Sequence, residues 1–149
     1  GWQAEEAVED ARNEVADLLG ADSREIVWTS GATESNNLAI KGVAEQFAPQ
    51  DCHIVVAATE HKAVLDPARY LEQKGYGLTV LLPDADGVIS AETVAQALQP
   101  NTRLVSIMAA NNETGVLNPV AGIGQVCADH NVWFHVDAAQ AVGKIPVNV

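Results

Sequence analysis

Asp137 closes the apolar run Val132-Trp133-Phe134-His135-Val136, where a carboxylate without a partner would be costly to strip of water. It calls for a cation or hydrogen-bond donor, and the protonated nitrogen of an aromatic heterocycle is one. A helix cap or a structural ion pair is the plainer alternative. Ser30-Gly31-Ala32-Thr33 offers complementary chemistry. Gly31 permits a tight turn, the first amides of the helix that follows point outward, and the helix dipole there favours an anion such as a phosphate. Capping of that helix by Ser30 or Thr33, with no ligand, is the competing reading. His61, next to Glu60, has a titration range suited to moving a proton and a flat ring that can lie on another. Asn112 offers a donor and an acceptor, and Gln140 stands three residues beyond Asp137, placed to donate to a ligand oxygen. An exposed loop histidine, a turn asparagine and a polar loop glutamine are the ordinary readings of these three.

The elements that must position these residues alternate in type. Ala4, Val8, Ala11, Val15 and Leu18-Leu19 recur at helical spacing and Gly20 supplies a stop. Ile26 to Thr29 predicts a short strand, and a helical pattern then runs through Leu38, Ile40, Val43 and Phe47. His53 to Ala58, Leu78 to Leu82, Leu104 to Met108 and Val132 to Val136 predict four more strands. Helices are expected between them over Ala63 to Lys74, from Ser90 through Leu98, and from about Val120 to His130. Pro67 is the irregularity in the first of these. Such alternation implies a mainly parallel sheet covered on both faces, with right-handed crossovers. Ligands of such sheets gather outside the carboxyl ends of the strands. Gly31 to Thr33, Glu60-His61, Asn111 to Glu113 and Asp137 to Gln140 all follow predicted strand ends.

A chain of 149 residues, 48% of them hydrophobic, can fill one core. Eight basic against twenty acidic side chains give a formal charge of −12, which repels nucleic acid and anionic lipid. No apolar run approaches the ~20 residues of a membrane helix, so a cytoplasmic protein is expected. Cys52 and Cys127 are too few for a disulfide framework and lack metal-ligand spacing. His135-x-Asp137 and Glu60-His61 contain ligand types that zinc accepts, but their spacing is weak, and no metal is expected. His53 and His130 read as surface residues at element ends. The chain begins at Gly1 in a helical pattern, so an excised segment of a longer protein is expected.

Four ordered segments carry a family resemblance. Thr29-Ser30-Gly31-Ala32-Thr33-Glu34-Ser35-Asn36-Asn37-Leu38-Ala39, Thr59-Glu60-His61-Lys62-Ala63-Val64, Asn111-Asn112-Glu113-Thr114-Gly115 and His135-Val136-Asp137-Ala138-Ala139-Gln140 together resemble the cysteine desulfurases. These are class V aminotransferase-like, fold-type-I pyridoxal 5'-phosphate enzymes. The resemblance covers essentially the whole chain, and the Thr-Glu-His-Lys segment favours the subclass serving general iron–sulfur assembly and nitrogen fixation.

The resemblance implies a three-layer α/β/α fold, with residues 1–149 a single, partial, cofactor-binding large domain. It implies that Ala32 and Thr33 bind the cofactor phosphate, His61 stacks on the ring and is catalytic, and Asn112 lies beside ring and substrate. Asp137 would pair with the pyridine nitrogen and Gln140 contact the phenolic oxygen. The intact enzyme would convert L-cysteine to L-alanine, leave a persulfide on an enzyme cysteine, pass sulfur to scaffold or carrier proteins, and form a homodimer. The lysine that anchors the cofactor, the nucleophilic cysteine and the small domain would lie beyond Val149. Lys41, Lys62, Lys74 and Lys144 do not carry the anchoring motif, and Cys52 and Cys127 do not match the sulfur-accepting loop, so the segment itself is expected to be inactive. Two alternatives remain: another class V lyase or aminotransferase, such as a selenocysteine lyase, and a noncatalytic interaction module.

Overall fold

A computed structural model describes residues 1–149. It divides into two compact units, residues 31–140 and residues 1–30 with 141–149. The larger unit is built around four strands, β1 (His53–Ala57), β2 (Gly77–Leu81), β3 (Thr102–Ser106) and β4 (Trp133–His135). Every pairing is parallel, in the order β2-β1-β3-β4. Helices α2 (Ala32–Ala44), α3 (Lys62–Gln73), α4 (Ala91–Ala97) and α5 (Val120–Asp129) accompany them, and α1 (Trp2–Leu19) belongs to the smaller unit.

Side-chain alternation along the central strands produces the layers. Ile54, Val56 and Leu104 face one way and pack with Ile40 and Ala44 of α2 and Val64, Ala68 and Leu71 of α3. Val55, Ala57 and Val105 face the other way, against Val94 of α4 and Ile123 and Cys127 of α5. The three-layer α/β/α arrangement with a parallel sheet is therefore the one the alternating pattern implied. Each such Val, Leu or Ile side chain contributes about 1.5–3 kcal/mol through burial. Helix α3 runs through Pro67, which is buried on its inner face. Cys52 and Cys127 are both free and buried, and no helix is long and apolar enough to cross a membrane.

Two expectations are corrected. Ile26 to Thr29 forms no strand. Ile26 has extended dihedrals, but the segment has no strand beside it, and β propensity without a ladder partner leaves backbone groups to be satisfied otherwise. Arg12 donates to the Ile26 carbonyl and lies over the Trp28 ring, while Val27 remains 66% exposed. His53 is not at the surface: it is 2% exposed, and its Nδ1 and Nε2 each lie 2.8 Å from a threonine hydroxyl, Thr102 on β3 and Thr79 on β2. It thus cross-links three strands at the end of the sheet away from the rim, and burial lowers its pKa. Gly31 lies in the bend that precedes α2, without a left-handed backbone. Its φ of 161° and ψ of 179° are extended, and space is open where a Cβ would stand.

Gly20 and Gly75 do need positive φ, 72° and 95°, and they follow α1 and α3 as stops, where the left-handed conformation lets the backbone amide turn back to the last carbonyls.

Candidate functional site at the carboxyl rim of the sheet

The parallel strands place the exits of β1, β3 and β4 on one rim, and hydrogen bonds tie those exits together. Asn111 Nδ2, beyond β3, donates to the Thr59 carbonyl beyond β1 at 3.1 Å. The Ala109 amide donates to the Asp137 carbonyl at 3.2 Å, joining the β3 and β4 exits. Helix α2 joins from above: Asn36, only 3% exposed and one turn after Thr33, donates Nδ2 to Asp137 Oδ2 at 2.9 Å. The other carboxylate oxygen of Asp137 accepts from the Ala139 amide at 3.1 Å. Two donors orient the carboxylate without exhausting its lone pairs, so acceptor capacity is left for a ligand N–H.

Gly31 stands at the N-cap position of α2, where it has no side chain to offer the first amides. Ala32 and Thr33 are exposed in its first turn. Thr33 shares a cleft of about 470 Å³ with His61, Asn37, Lys41, Lys62 and Tyr70. His61 caps α3, its Nδ1 accepting from the Ala63 amide at 3.1 Å, which leaves Nε2 as the protonated nitrogen of the neutral ring. Asp137, Asn112 and Gln140 are not part of this cleft; the hydrogen bonds above connect the first two to it indirectly.

Asn112 is exposed, and the turn-stabilising work considered for it falls to its neighbour. Asn111 Oδ1 accepts from the Glu113 and Thr114 amides at 2.9 and 2.8 Å. Asn112 is thereby left at the tip of a braced turn. Gln140 is exposed on the turn after Asp137. His135 places Nδ1 2.7 Å from the Ser106 hydroxyl, and its pKa is lowered by burial, an effect opposed by the charge of Asp137. No group of three or more His, Cys, Asp or Glu side chains converges as metal ligands would.

Two residues at the rim escape a reading of the sequence by pattern. Asn36 sits in the helical run as one polar residue among several, and its partner is 101 positions away. Glu60 reads in the sequence as a rim residue beside His61 and a ligand type zinc accepts, not as a buried acid. It is 6% exposed, its Oε1 accepts from the Met108 amide at 2.7 Å, and its Oε2 is buried with no partner. A glutamate following an apolar strand and preceding a capping residue is the one signal that could have drawn attention to it.

A rim with an oriented carboxylate, a helix start with glycine at its N-cap and an imidazole at a cleft can receive a ring with a protonated nitrogen and an anionic tail. The donor and acceptor set therefore fits pyridoxal phosphate. Over residues 1–149 the chain matches the class-V aminotransferase family, and it belongs to that family. Among curated relatives it is 57% identical to the cysteine desulfurase IscS of Tolumonas auensis and 59% identical to that of Aeromonas salmonicida. In both cases all of this chain aligns with 37% of the relative's length. The chain thus spans a little over a third of these relatives. Among solved structures, SspA in complex with cysteine superposes with a TM-score of 0.96 at 45% identity, over 99% of this chain and 42% of the other. A NifS-like protein gives 0.94 at 41% identity, over 100% and 42%.

Proposed function

We propose that this chain is the cofactor-domain segment of a pyridoxal 5'-phosphate-dependent cysteine desulfurase. The intact protein takes L-cysteine to L-alanine and leaves the sulfur as a persulfide on one of its own cysteines, for iron–sulfur cluster assembly. The observation that carries the reading is the Asn36–Asp137 pair, an oriented carboxylate at the sheet rim held by the helix whose start, with Gly31 at the N-cap, lies one turn away. The family and the relatives support it.

When bound, the cofactor supplies an electron-accepting ring conjugated to the substrate carbon. The chain's own residues bind and orient it. Asp137 accepts the ring N–H and keeps that nitrogen protonated. The amides of Ala32 and Thr33, with the Thr33 hydroxyl, hold the phosphate at the helix start. His61 offers a flat ring at the cleft, with Nδ1 engaged by the Ala63 amide and Nε2 left to serve the ligand. Asn112 lies beside the substrate, and Gln140 donates to the phenolic oxygen. Residues 1–149 form one partial cofactor-binding domain of a cytoplasmic homodimer, and scaffold or carrier proteins take the sulfur. This segment alone is inactive, because none of Lys41, Lys62, Lys74 and Lys144 is the cofactor's anchor.

Product analysis tests the reading. The longer protein that carries this segment, given L-cysteine, is expected to form L-alanine with an equal amount of transferable sulfur. Alanine from L-selenocysteine but not from L-cysteine would replace the desulfurase with a selenocysteine lyase, and no alanine from either would remove both.

A further inference from the structure

Glu60 lies between the two residues that connect the β1 exit to its neighbours. Before it, the Thr59 carbonyl receives Asn111 Nδ2; after it, His61 caps α3. Its own side chain crosses to the β3 exit, where Oε1 takes the Met108 amide at 2.7 Å, three residues before the Asn111 turn. One side chain therefore joins the segment that carries His61 to the segment that carries Asn112. The second oxygen is buried without a partner. None of the ion pairs Arg12–Glu9, Arg24–Asp22, Lys62–Asp66 and Arg69–Glu72 involves it.

We propose that Glu60 is a positioning residue that fixes the separation of the His61 and Asn112 sides of the site, and that it does so as the uncharged acid. The importance of that separation rests on the function proposed above; the state of Glu60 does not. A buried carboxylate with one hydrogen bond and no counter-ion is costly, so the neutral form is favoured. Burial pushes its pKa up to about 8, the Met108 amide opposes that rise, and the charge of Asp137 adds to it. The titratable groups around it are Asp137 from the β4 side, itself close to His135, and the adjacent His61 at the start of α3. Ionisation of Glu60 would set a second anion near Asp137 and draw water to Oε2, loosening the link between the two exits.

The test follows the carboxyl carbon of Glu60 by NMR across a pH titration of the 149-residue chain, together with the Met108 amide, the Asn111 side-chain amide and the Asn112 backbone amide. The expected result is a midpoint near 8 for Glu60, with the three reporters moving on the same midpoint. Glu60→Gln, which preserves shape and neutrality, should keep the low-pH positions of all three at every pH. A Glu60 midpoint in the ordinary carboxylate range, or reporters that stay still while Glu60 ionises, would overturn the proposal. The wild-type titration decides this even where the glutamine variant fails to fold. No cofactor is present, so failure of the desulfurase reading would leave this outcome unaffected.

Discussion

Asn36 and Asp137, 101 residues apart, meet at 2.9 Å, and this one hydrogen bond ties the second turn of α2 to the exit of β4. It fixes which oxygen of Asp137 is spoken for and so which way the remaining lone pairs present themselves. Replacing Asn36 with alanine leaves a buried space and removes a donor from a carboxylate, which is expected to cost about 1.5–3 kcal/mol. Denaturant unfolding would measure it. Asn36→Asp should be worse, since it brings a second negative charge against Asp137.

Thr33 is exposed in the first turn of α2, so the phosphate contact proposed for it can be tested apart from folding. Thr33→Glu places a carboxylate where the phosphate is expected. The unfolding midpoint should hardly move, within about 0.5 kcal/mol as for ordinary surface positions, while affinity for pyridoxal phosphate falls by tenfold or more, about 1.4 kcal/mol. Unchanged affinity would place the phosphate elsewhere.

Glu60 and His53 give opposite pH dependences of stability. The folded-state pKa of Glu60, about 8, stands above its ordinary value of 4.5. Its neutral form is therefore fully favourable below the ordinary value, and stability is lost as pH rises towards about 8. The stability difference between wild type and Glu60→Gln, followed by denaturant midpoint over that window, should move in favour of the variant as pH rises.

For His53 the folded pKa is lowered from 6.5 by burial. The folded state then resists a proton that the unfolded chain takes up, so stability is present above 6.5 and declines as pH falls below it. His53→Gln should be less stable than wild type at neutral pH and should lose this acid-side slope. An unaltered slope would assign it to His135, whose pKa burial also lowers.

Much of this was legible in the residues. Strand-length apolar runs separated by helical patterns identify a parallel α/β sheet because both of its faces are buried, and the rim rule then gathers the polar segments. Where the reading failed, the deciding partner lay outside the local pattern. Ile26 to Thr29 has strand propensity but no neighbour to pair with. His53 looked like a polar residue at an element's start, yet two threonines from adjacent strands make its burial affordable. Asn36 and Glu60 are polar residues whose significance depends on groups 101 and 48 positions away, and no periodicity reports such a distance. The neighbouring asparagines 111 and 112 are indistinguishable by type, and only the turn geometry separates the brace from the exposed tip.

The central claim is that Asp137 and the start of α2 form two walls of a pyridoxal phosphate pocket. A titration of the chain with pyridoxal phosphate, followed by absorbance for wild type and Asp137→Ala and by mass after borohydride reduction, tests it most directly. The account predicts saturable binding to wild type, affinity at least about tenfold weaker in the variant, and no stoichiometric adduct at any one lysine. Equal binding by the two proteins, no saturable binding at all, or a single fully modified lysine would contradict it.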